Sequence, residues 1–218
     1  MSKYVCVVGP DGGGKSAVSR HVCESLCQQG IESVHLYADS QLVSDSNIGA
    51  CVTPHGAPSH GAAQSVLAIV RRLFHYWRAR TNGPLATGHP GIVIHERGWL
   101  DQAVDPCRYR LPSWTGALSL MLNAFVRKPD LVLNCVGDPA VVHDHKGEIG
   151  AHETARQLAR WQSLLAFLPT VDVNRTASIF DQAEQVAPEA VLDFVRAATT
   201  SLRLREIDRW IPARFSSA

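Results

Sequence analysis

The feature that most constrains this chain is a glycine-rich turn near its start. Residues 9–16 fit the spacing G-x-x-x-x-G-K-[ST], the P-loop pattern whose backbone N–H groups cradle phosphate oxygens. An apolar, β-branched run at 4–8 precedes the turn and predicts a buried strand, and helical spacing follows from Ala17 to Gln29. Strand, turn and helix in this order are the context in which the pattern binds phosphates.

The residue types in the turn suit phosphate and metal chemistry. Glycines let the backbone approach phosphate oxygens closely, and the helix N-terminus adds partial positive charge behind them. We expect Lys15 to bridge the outer phosphates of ATP and the Ser16 hydroxyl to bind Mg²⁺. A chance glycine-rich turn is the alternative interpretation. The predicted cofactors are ATP and Mg²⁺, and the predicted cradle comprises Gly9, Gly12, Gly13, Gly14, Lys15 and Ser16.

Length and composition indicate one globular domain with a substantial core. Of the 218 residues, 45% are hydrophobic and 19% are charged, as in ordinary globular proteins. The formal net charge of +1 argues against a strongly basic nucleic-acid surface. The 6 Cys form no C-x-x-C pair, and no apolar run is long enough to span a bilayer. We therefore expect reduced, mostly buried thiols, no membrane partner and, since no signal peptide precedes the first strand, a cytoplasmic protein.

Acidic residues follow two further predicted strands. The run from Ile31 to Ala38 predicts a strand with Asp39 at its carboxyl end, and a strand at 91–95 is followed by Glu96 and Arg97. Ligands of open α/β sheets bind at such strand ends. Glu96 is suited to hold Mg²⁺ through water or to accept a hydroxyl proton, and Arg97 to contact a transferring phosphoryl group. The alternatives are a helix cap or turn residue for Asp39 and a surface ion pair for Glu96 and Arg97.

The region between these strands predicts a loop and a helix. Residues Ser40–Ala62 are rich in Ser, Gly, Pro and His, which indicates a long substrate-side flap. Ala63–Arg80 has the spacing of an amphipathic helix, and its arginines either face solvent or hold an anionic acceptor. We expect its apolar stripe to face the core, although Phe74 and Trp77 are also candidates for a ligand platform. The stripe comprises Val66, Leu67, Val70, Leu73, Phe74 and Trp77.

The segment after Gly98 predicts a short helix that is stopped by Pro106. Asp101 and Asp105 share one face of this helix, where they would orient substrate hydroxyls or brace Arg97. Arg108 and Arg110 follow and would hold an anionic group. Capping or surface roles are the alternative for each of these side chains.

The second half of the chain continues the alternation of helices and strands. It predicts a helix at Leu111–Arg127, a strand at Asp130–Val136, a strand at Val171–Val173 and a helix at about 178–198. A charged, glycine-flanked segment between two helices, at about 139–156, predicts a lid whose closure would bring Lys146, Arg156 or Arg160 onto the phosphates. The C-terminal extension at about 199–218 is either a short packed helix or a contact with another subunit, so a homodimer is compatible with the sequence.

At this point the chain resembles the thymidylate kinase and deoxynucleoside kinase branch of the P-loop nucleotide kinases. Its loop at 9–16 is similar to that branch's G-x-D-G-x-G-K-S, and Glu96-Arg97-Gly98 is similar to its Asp-Arg-Tyr or Glu-Arg-Ser signature. Leu73-Phe74 followed by Arg78 resembles the base-binding helix of thymidylate kinases. The segment from Val171 to Val186 resembles the last strand and adenine-clamp loop.

This resemblance implies a fold and several binding roles. The fold would be a three-layer α/β sandwich with a five-stranded parallel sheet, the P-loop nucleoside triphosphate hydrolase fold in its nucleoside monophosphate kinase-like form, over a single domain at 1–218. Phe74 would stack on the acceptor's base and Arg78 would hold it, while Asp11 would point toward the acceptor. The implied adenine-side residues are Asn174 and Arg175.

The expected function is ATP- and Mg²⁺-dependent phosphoryl transfer to a hydroxyl or phosphate acceptor, most simply a small nucleotide-like molecule. The stretch after Gly98 lacks the family's Ser-x-x-Ala-Tyr-Gln pattern, so a hydroxymethylated base in DNA or a sugar metabolite stays an alternative acceptor. A nucleotide-binding regulatory module without transfer chemistry is the alternative of another class. The expected catalytic residues are Lys15, Glu96, Arg97 and Asp11, and Asp11, Asp39 and Glu96 stay open as the general base. The expected acceptor-side residues are Asp39, Phe74, Arg78, Trp99, Asp101, Asp105, Arg108 and Arg110.

Overall fold

A parallel sheet of five strands forms the centre of the fold, as the sequence predicts. The computed structural model describes residues 3–37, 61–86, 91–146, 150–174, 188–194 and 196. Asp39, most of the predicted flap, Arg175 and the C-terminal extension at 199–218 lie outside the described residues. Lys146 and Asn174 end a helix and a strand, but their side chains also lie outside the described part.

The strands follow from short apolar runs, which are buried on both faces in the three inner strands and only partly buried in the two edge strands. Their order in the sheet is β2-β3-β1-β4-β5, and all neighbouring pairs are parallel. The central β1 therefore lies between β3 and β4, and the register places Val7 opposite Glu96. The strands are β1 (Lys3–Val8), β2 (Ser33–Tyr37), β3 (Ile92–Glu96), β4 (Leu131–Val136) and β5 (Thr170–Asn174).

Helices connect the strands, as parallel pairing requires. The helix predicted at Leu111–Arg127 is shorter than expected: a turn closed by the Thr115 N–H on the Pro112 carbonyl precedes it, and a 3₁₀ turn at Asn123–Phe125 follows it. A second 3₁₀ turn spans Pro106–Tyr109, and residues 188–194 are helical. The helices are α1 (Lys15–Gln28), α2 (Ala62–Asn82), α3 (Gly98–Val104), α4 (Thr115–Leu122), α5 (Pro139–Lys146) and α6 (Ala151–Leu165).

Alternate residues of β1 face two separate apolar clusters. Tyr4, Cys6 and Val8 pack in a cluster with residues of α2, α3 and α6. Val5 and Val7 pack in a second cluster with α1 and with the helical residues 188–194. Because side chains alternate along a strand, these clusters lie on opposite faces, and helices cover both sides of the sheet.

The orientation of α2 differs from the predicted one. Five residues of the expected buried stripe are 40–68% exposed, whereas Ser65, Ile69, Tyr76 and Ala79 form the buried face. The small Ser65 and Ala79 let the helix backbone approach the core, and Tyr76 packs edge-on against Trp99. Close packing of this face outweighs the larger number of apolar residues on the other. The exposed residues are Val66, Leu67, Val70, Phe74 and Trp77.

The described cysteines are free thiols, but the expectation that they are mostly buried is wrong. Cys6 and Cys135 are buried, Cys23 and Cys107 are half-buried, and Cys27 is exposed. Burial raises the pKa of the Cys6 thiol to about 12, so this group is an uncharged core side chain. Among the described helices, none is long and apolar enough to cross a membrane.

Candidate functional site

The glycine-rich turn lies at the carboxyl end of β1 and leads directly into α1. Gly9 has a φ of +138°, and a Cβ there would lie 2.5 Å from the carbonyl oxygen of Cys135, so only glycine fits this approach to β4. Gly12 and Gly14 also have left-handed φ values, and the Gly13 N–H bonds to the Pro10 carbonyl at 3.0 Å. Gly14 occupies the N-cap position and supplies no capping side chain. The first turn of α1 therefore offers N–H groups to an anion.

Lys15 lies beneath this turn rather than in solvent. Its Nζ donates hydrogen bonds of 2.7 Å to the carbonyls of Gly9 and Pro10, and it lies 3.4 Å from Asp11 Oδ1. Burial, and then the positive charge of Arg97, lower the pKa of Lys15 to about 8. The ammonium group is thus held at the loop, where it can exchange backbone carbonyls for phosphate oxygens.

Ser16 and Glu96 meet where β1 and β3 end side by side. Ser16 Oγ donates a 2.8 Å hydrogen bond to Glu96 Oε1. Glu96 is fully buried, and its Oε2 has no hydrogen-bond partner among the described residues. His35, on the other side of β3, places Nε2 at 3.9 Å from that oxygen. Burial lowers the pKa of His35, an effect that the Glu96 carboxylate only partly offsets. The second oxygen of Glu96 is therefore available to a ligand.

The Arg97 backbone is held in a conformation that few non-glycine residues adopt. Its φ is 74°, and its N–H donates to the Val7 carbonyl at 2.9 Å. Such a conformation costs about 1–3 kcal/mol and is typical of functional sites. It places the guanidinium NH1 2.8 Å from Asp11 Oδ1 and 3.7 Å from Asp101 Oδ2. Gly98 makes the turn possible, since a Cβ there would lie 2.6 Å from Cys6 Sγ.

Asp11 is the centre of this charged cluster. The residue is 4% exposed, and its carboxylate interacts with Lys15, Arg97 and Arg108. Arg97 pairs with one carboxylate oxygen and Arg108 with the other. A buried carboxylate with both oxygens paired to guanidinium groups is well suited to position those groups, and poorly suited to take up a proton.

A second layer of contacts connects α2 to the cluster. Tyr109 Oη donates a 2.8 Å hydrogen bond to Asp101 Oδ2, and the Arg72 guanidinium lies 4.0 Å from the Tyr109 ring centroid. Arg72 also donates to Gln102 Oε1, and Gln102 Nε2 donates to Ser119 Oγ at 2.8 Å. The sequence did not identify Gln102, Tyr109 or His35 as site residues, and it indicated Arg72 only as one of several arginines on the helix at Ala63–Arg80. Arg72 lies on the same helical face as Ile69 and Tyr76, and this shared face is the feature that distinguishes it from the exposed arginines of α2.

The structure thus brings Asp11, Lys15, Ser16, Glu96, Arg97, Asp101 and Arg108 together. Asp105 lies at the edge of this group, where it accepts hydrogen bonds from the Arg108 N–H at 3.2 Å and from Gln157 Nε2 at 3.1 Å. Its role there is to cap the 3₁₀ turn that carries Arg108.

Other predicted site residues have different surroundings. Trp99 is buried, and its indole N–H donates to the Ser119 carbonyl at 2.8 Å. Phe74 and Arg78 lie on the exposed face of α2. Arg156 pairs twice with Glu153 at 2.7 Å, and Arg110 is half-buried in a left-handed conformation with φ 55°. Arg160 donates to the Val104 carbonyl at 2.9 Å, which ties α6 to the end of α3.

The charged cluster can offer Mg²⁺ only a small number of protein oxygens. Within the described ranges, no group of three or more His, Cys, Asp and Glu side chains is arranged to hold a metal ion, so a cage made only of protein ligands is absent there. Mg²⁺ at nucleotide sites instead uses one or two protein oxygens together with water and phosphate. Ser16 Oγ and Glu96 Oε2, which accepts no hydrogen bond among the described residues, provide such oxygens.

Comparison with known proteins leaves the family of the chain open, because no family model and no curated protein matches it.

Proposed function

We propose that this chain is an ATP- and Mg²⁺-dependent kinase that transfers a phosphoryl group to a hydroxyl or phosphate of a nucleotide-like acceptor. The observation that carries the proposal is the 2.8 Å hydrogen bond between Ser16 and Glu96, with Arg97 next to it in sequence. A pure phosphate-binding loop requires Lys15 and Ser16 alone. A buried acid and an arginine on the neighbouring strand add the groups that phosphoryl transfer requires.

The sheet topology supports the same proposal. The glycine-rich turn follows the central strand, and the acid follows the strand beside it. This arrangement fits a P-loop nucleoside triphosphate hydrolase fold of the nucleoside monophosphate kinase-like form, as the sequence resemblance implies. Both groups lie at the carboxyl ends of the strands, where α/β sheets bind ligands.

In the proposed mechanism the cationic side chains stabilise the phosphoryl group in transit. Lys15 leaves the carbonyls of Gly9 and Pro10 to bind the outer phosphates of ATP, and the first turn of α1 donates its N–H groups to them. Arg97 neutralises charge on the moving group. Its guanidinium is positioned by Asp11, which keeps it in place without solvent reorganisation.

We assign Glu96 either to binding the metal ion or to accepting a proton from the attacking group. Ser16 and Glu96 would hold Mg²⁺, which when bound neutralises phosphate charge and orients the phosphates. Among the described acids, Glu96 has a buried oxygen without a hydrogen-bond partner, whereas both oxygens of Asp11 are paired with arginines. We therefore prefer Glu96 to Asp11 as the residue that acts on the attacking group.

The acceptor is proposed to bind between α2 and the segment Trp99–Arg110. The inner face of α2 contributes Arg72, and the segment contributes Asp101, Tyr109 and Arg108. These side chains offer hydrogen-bond donors and acceptors that suit hydroxyl and phosphate groups.

We also propose that the protein is located in the cytoplasm.

The test is transfer of label from γ-labelled ATP to a panel of acceptors. The panel contains nucleosides, nucleoside monophosphates, sugars and an oligonucleotide with a hydroxymethylated base, each with and without Mg²⁺. Mg²⁺-dependent labelling of a nucleoside or nucleotide supports the proposal, and labelling of the sugar or the oligonucleotide assigns the alternative acceptor. For the oligonucleotide, binding should also fall steeply with salt. If no acceptor raises turnover above slow hydrolysis while ATP still binds, the chain is a nucleotide-binding module and the kinase proposal fails.

A further inference from the structure

Two buried polar atoms face each other beside the glycine-rich turn. Glu96 Oε2 and His35 Nε2 lie 3.9 Å apart, and neither atom has a hydrogen-bond partner among the described residues. Few buried polar atoms of native proteins lack a partner, and such a pair indicates that a water molecule or an ion binds between them. The His35 side chain is 29% exposed, so an ion has a short path from solvent to the pair.

Strand pairing places these two side chains on the same face of the sheet. β2 and β3 are parallel neighbours, and His35 lies opposite Ile94, two residues before Glu96. Since side chains alternate along a strand, His35, Ile94 and Glu96 share one face. Ile94 packs in the apolar cluster that contains residues of α1, so α1 covers this face. The pair therefore lies beside the helix that follows the glycine-rich turn.

The Glu96 carboxylate is fully buried, and its two oxygens have different surroundings. Oε1 accepts the hydrogen bond from Ser16 and lies 3.7 Å from Arg97 Nε. Arg97 directs NH1 to Asp11 at 2.8 Å. Buried carboxylates in proteins are paired with a cation or coordinate a metal ion. Because the contacts of Ser16 and Arg97 are with Oε1, an ion bound at Oε2 would complete the neutralisation of this carboxylate.

The distance and the atom types of the pair suit a transition-metal ion. Imidazole nitrogen and carboxylate oxygen bind ions such as Zn²⁺ at about 2.0–2.2 Å, so two bonds to one ion span up to about 4.2 Å. Imidazole favours transition metals, whereas Mg²⁺ prefers oxygen ligands and keeps several waters. Burial lowers the pKa of His35, which favours the neutral ring that binds metals. The positive charge of Arg20 also acts on His35, but Arg20 is exposed and its charge is screened by solvent.

We propose that Glu96 Oε2 and His35 Nε2 bind a divalent transition-metal ion, such as Mn²⁺, in preference to Mg²⁺. Water and the phosphate oxygens of bound ATP complete the ligand set. This assignment rests on the proposed function for the presence of the nucleotide, and it deepens that function because it makes His35 the residue that sets the metal preference of the same site. A bridging water molecule is the alternative occupant of the pair.

The first experiment detects the metal ligand directly and does not require phosphoryl transfer. The unmodified chain, labelled with ¹⁵N only at histidine, is mixed with Mn²⁺, with and without a methylene-bridged ATP analogue that cannot transfer its phosphoryl group. Electron spin-echo envelope modulation should show a bound histidine nitrogen, with frequencies that differ between the labelled and the unlabelled chain. His35→Phe should abolish this signal. His75→Phe is the matched control and should keep the signal, because His75 is also half-buried but lies on α2.

The second experiment compares the affinities of the two ions by titration calorimetry. His35→Phe should weaken Mn²⁺ binding by about tenfold or more, at least the loss that removal of a supporting group causes at metal sites. Mg²⁺ binding should change by less than about threefold, because Mg²⁺ takes its ligands from oxygen and water. His75→Phe should leave the affinity for both ions unchanged.

Three outcomes overturn the proposal. Mn²⁺ that binds the parent without a histidine-nitrogen signal assigns the pair to water, and a signal that His35→Phe retains belongs to another histidine. Equal weakening of Mn²⁺ and Mg²⁺ in His35→Phe shows that His35 only supports the structure of the site. Should His35→Phe fail to fold, the labelled parent decides alone.

The metal site and the kinase proposal fail separately. A nitrogen signal that depends on His35, in a chain that phosphorylates no acceptor, supports the metal site and excludes the kinase. Phosphoryl transfer by a chain that gives no nitrogen signal supports the kinase and excludes His35 as a metal ligand.

Discussion

Ser16 Oγ donates a 2.8 Å hydrogen bond to Glu96 Oε1, across 80 residues of sequence. The bond exists because β1 and β3 are parallel neighbours with Val7 opposite Glu96, so the turn after one strand faces the end of the other. The bond joins the Ser16 hydroxyl, which would bind Mg²⁺, to the Glu96 carboxylate, which would bind the same ion. The adjacent Arg97 is directed to Asp11 by the same strand end.

Glu96→Gln is expected to lower kinase turnover by about a hundredfold or more, in the range of losses of a general base or a charged transition-state contact. The amide oxygen can still accept the hydrogen bond from Ser16, so the fold should be kept while the negative charge is lost. Turnover at saturating ATP, measured over a Mg²⁺ titration, checks the prediction. Asp193→Asn removes an exposed acid far from the turn in sequence and should have no effect. Turnover of Glu96→Gln within threefold of the parent would remove Glu96 from the mechanism.

Asp11→Asn is expected to destabilise the chain by about 3 kcal/mol, because it leaves the buried cations Arg97 and Lys15 without their carboxylate. Arg108→Gln in the same background should cost less than it does in the parent, since the pair is already broken. Urea unfolding of the parent, both single variants and the double variant gives a coupling energy, expected at about 1–3 kcal/mol. Additivity within about 0.5 kcal/mol would show that Asp11 does not hold Arg108.

Local patterns predict the elements of the fold and the core of the site. The apolar runs before Gly9 and before Glu96 predict β1 and β3, and parallel pairing then brings both carboxyl ends to one edge. The expected α/β class and parallel five-stranded sheet are confirmed. Strand order is not a local property, so the approach of His35 to Glu96, which needs β2 beside β3, could not be predicted.

The orientation of α2 shows a second limit. Apolar residues occur on two arcs of this helix, and the arc with more of them, including Phe74 and Trp77, is the exposed one. Hydrophobic periodicity reflects the number of apolar residues on each face of a helix, whereas burial depends on how closely a face can pack against the core. The small side chains of Ser65 and Ala79 allow their face to approach the core more closely. For the same reason Arg72 could not be distinguished from the other arginines of this helix, because its position on the buried arc becomes visible only once that arc is known.

Gly98→Ala is expected to destabilise the chain by about 1–3 kcal/mol, as overpacking of a core does. The added Cβ would lie 2.6 Å from Cys6 Sγ and 3.3 Å from the Tyr4 hydroxyl, and relief of this clash would displace Arg97. Cys6→Ala removes the closer atom, so the double variant should recover most of the loss and part of the activity. Thermal unfolding and turnover of all four chains test this. A double variant whose destabilisation equals the sum of the single effects contradicts the assignment of the clash to Cys6.

Lys15→Met is expected to abolish phosphoryl transfer while raising the melting temperature of the ligand-free chain near pH 7. Burial, and then the charge of Arg97, lower the folded-state pKa of Lys15 from 10.5 to about 8, so its ammonium form opposes folding below pH 8. Between pH 8 and 10.5 the unfolded chain keeps a proton that the folded chain has released, and by linkage the parent gains stability as pH rises. The melting-temperature difference, variant minus parent, should therefore be largest at or below pH 8 and vanish near pH 10.5, as scanning fluorimetry in matched buffers can measure. A variant that melts below the parent at pH 7, or a difference that grows with pH, would show that the buried ammonium stabilises the free chain.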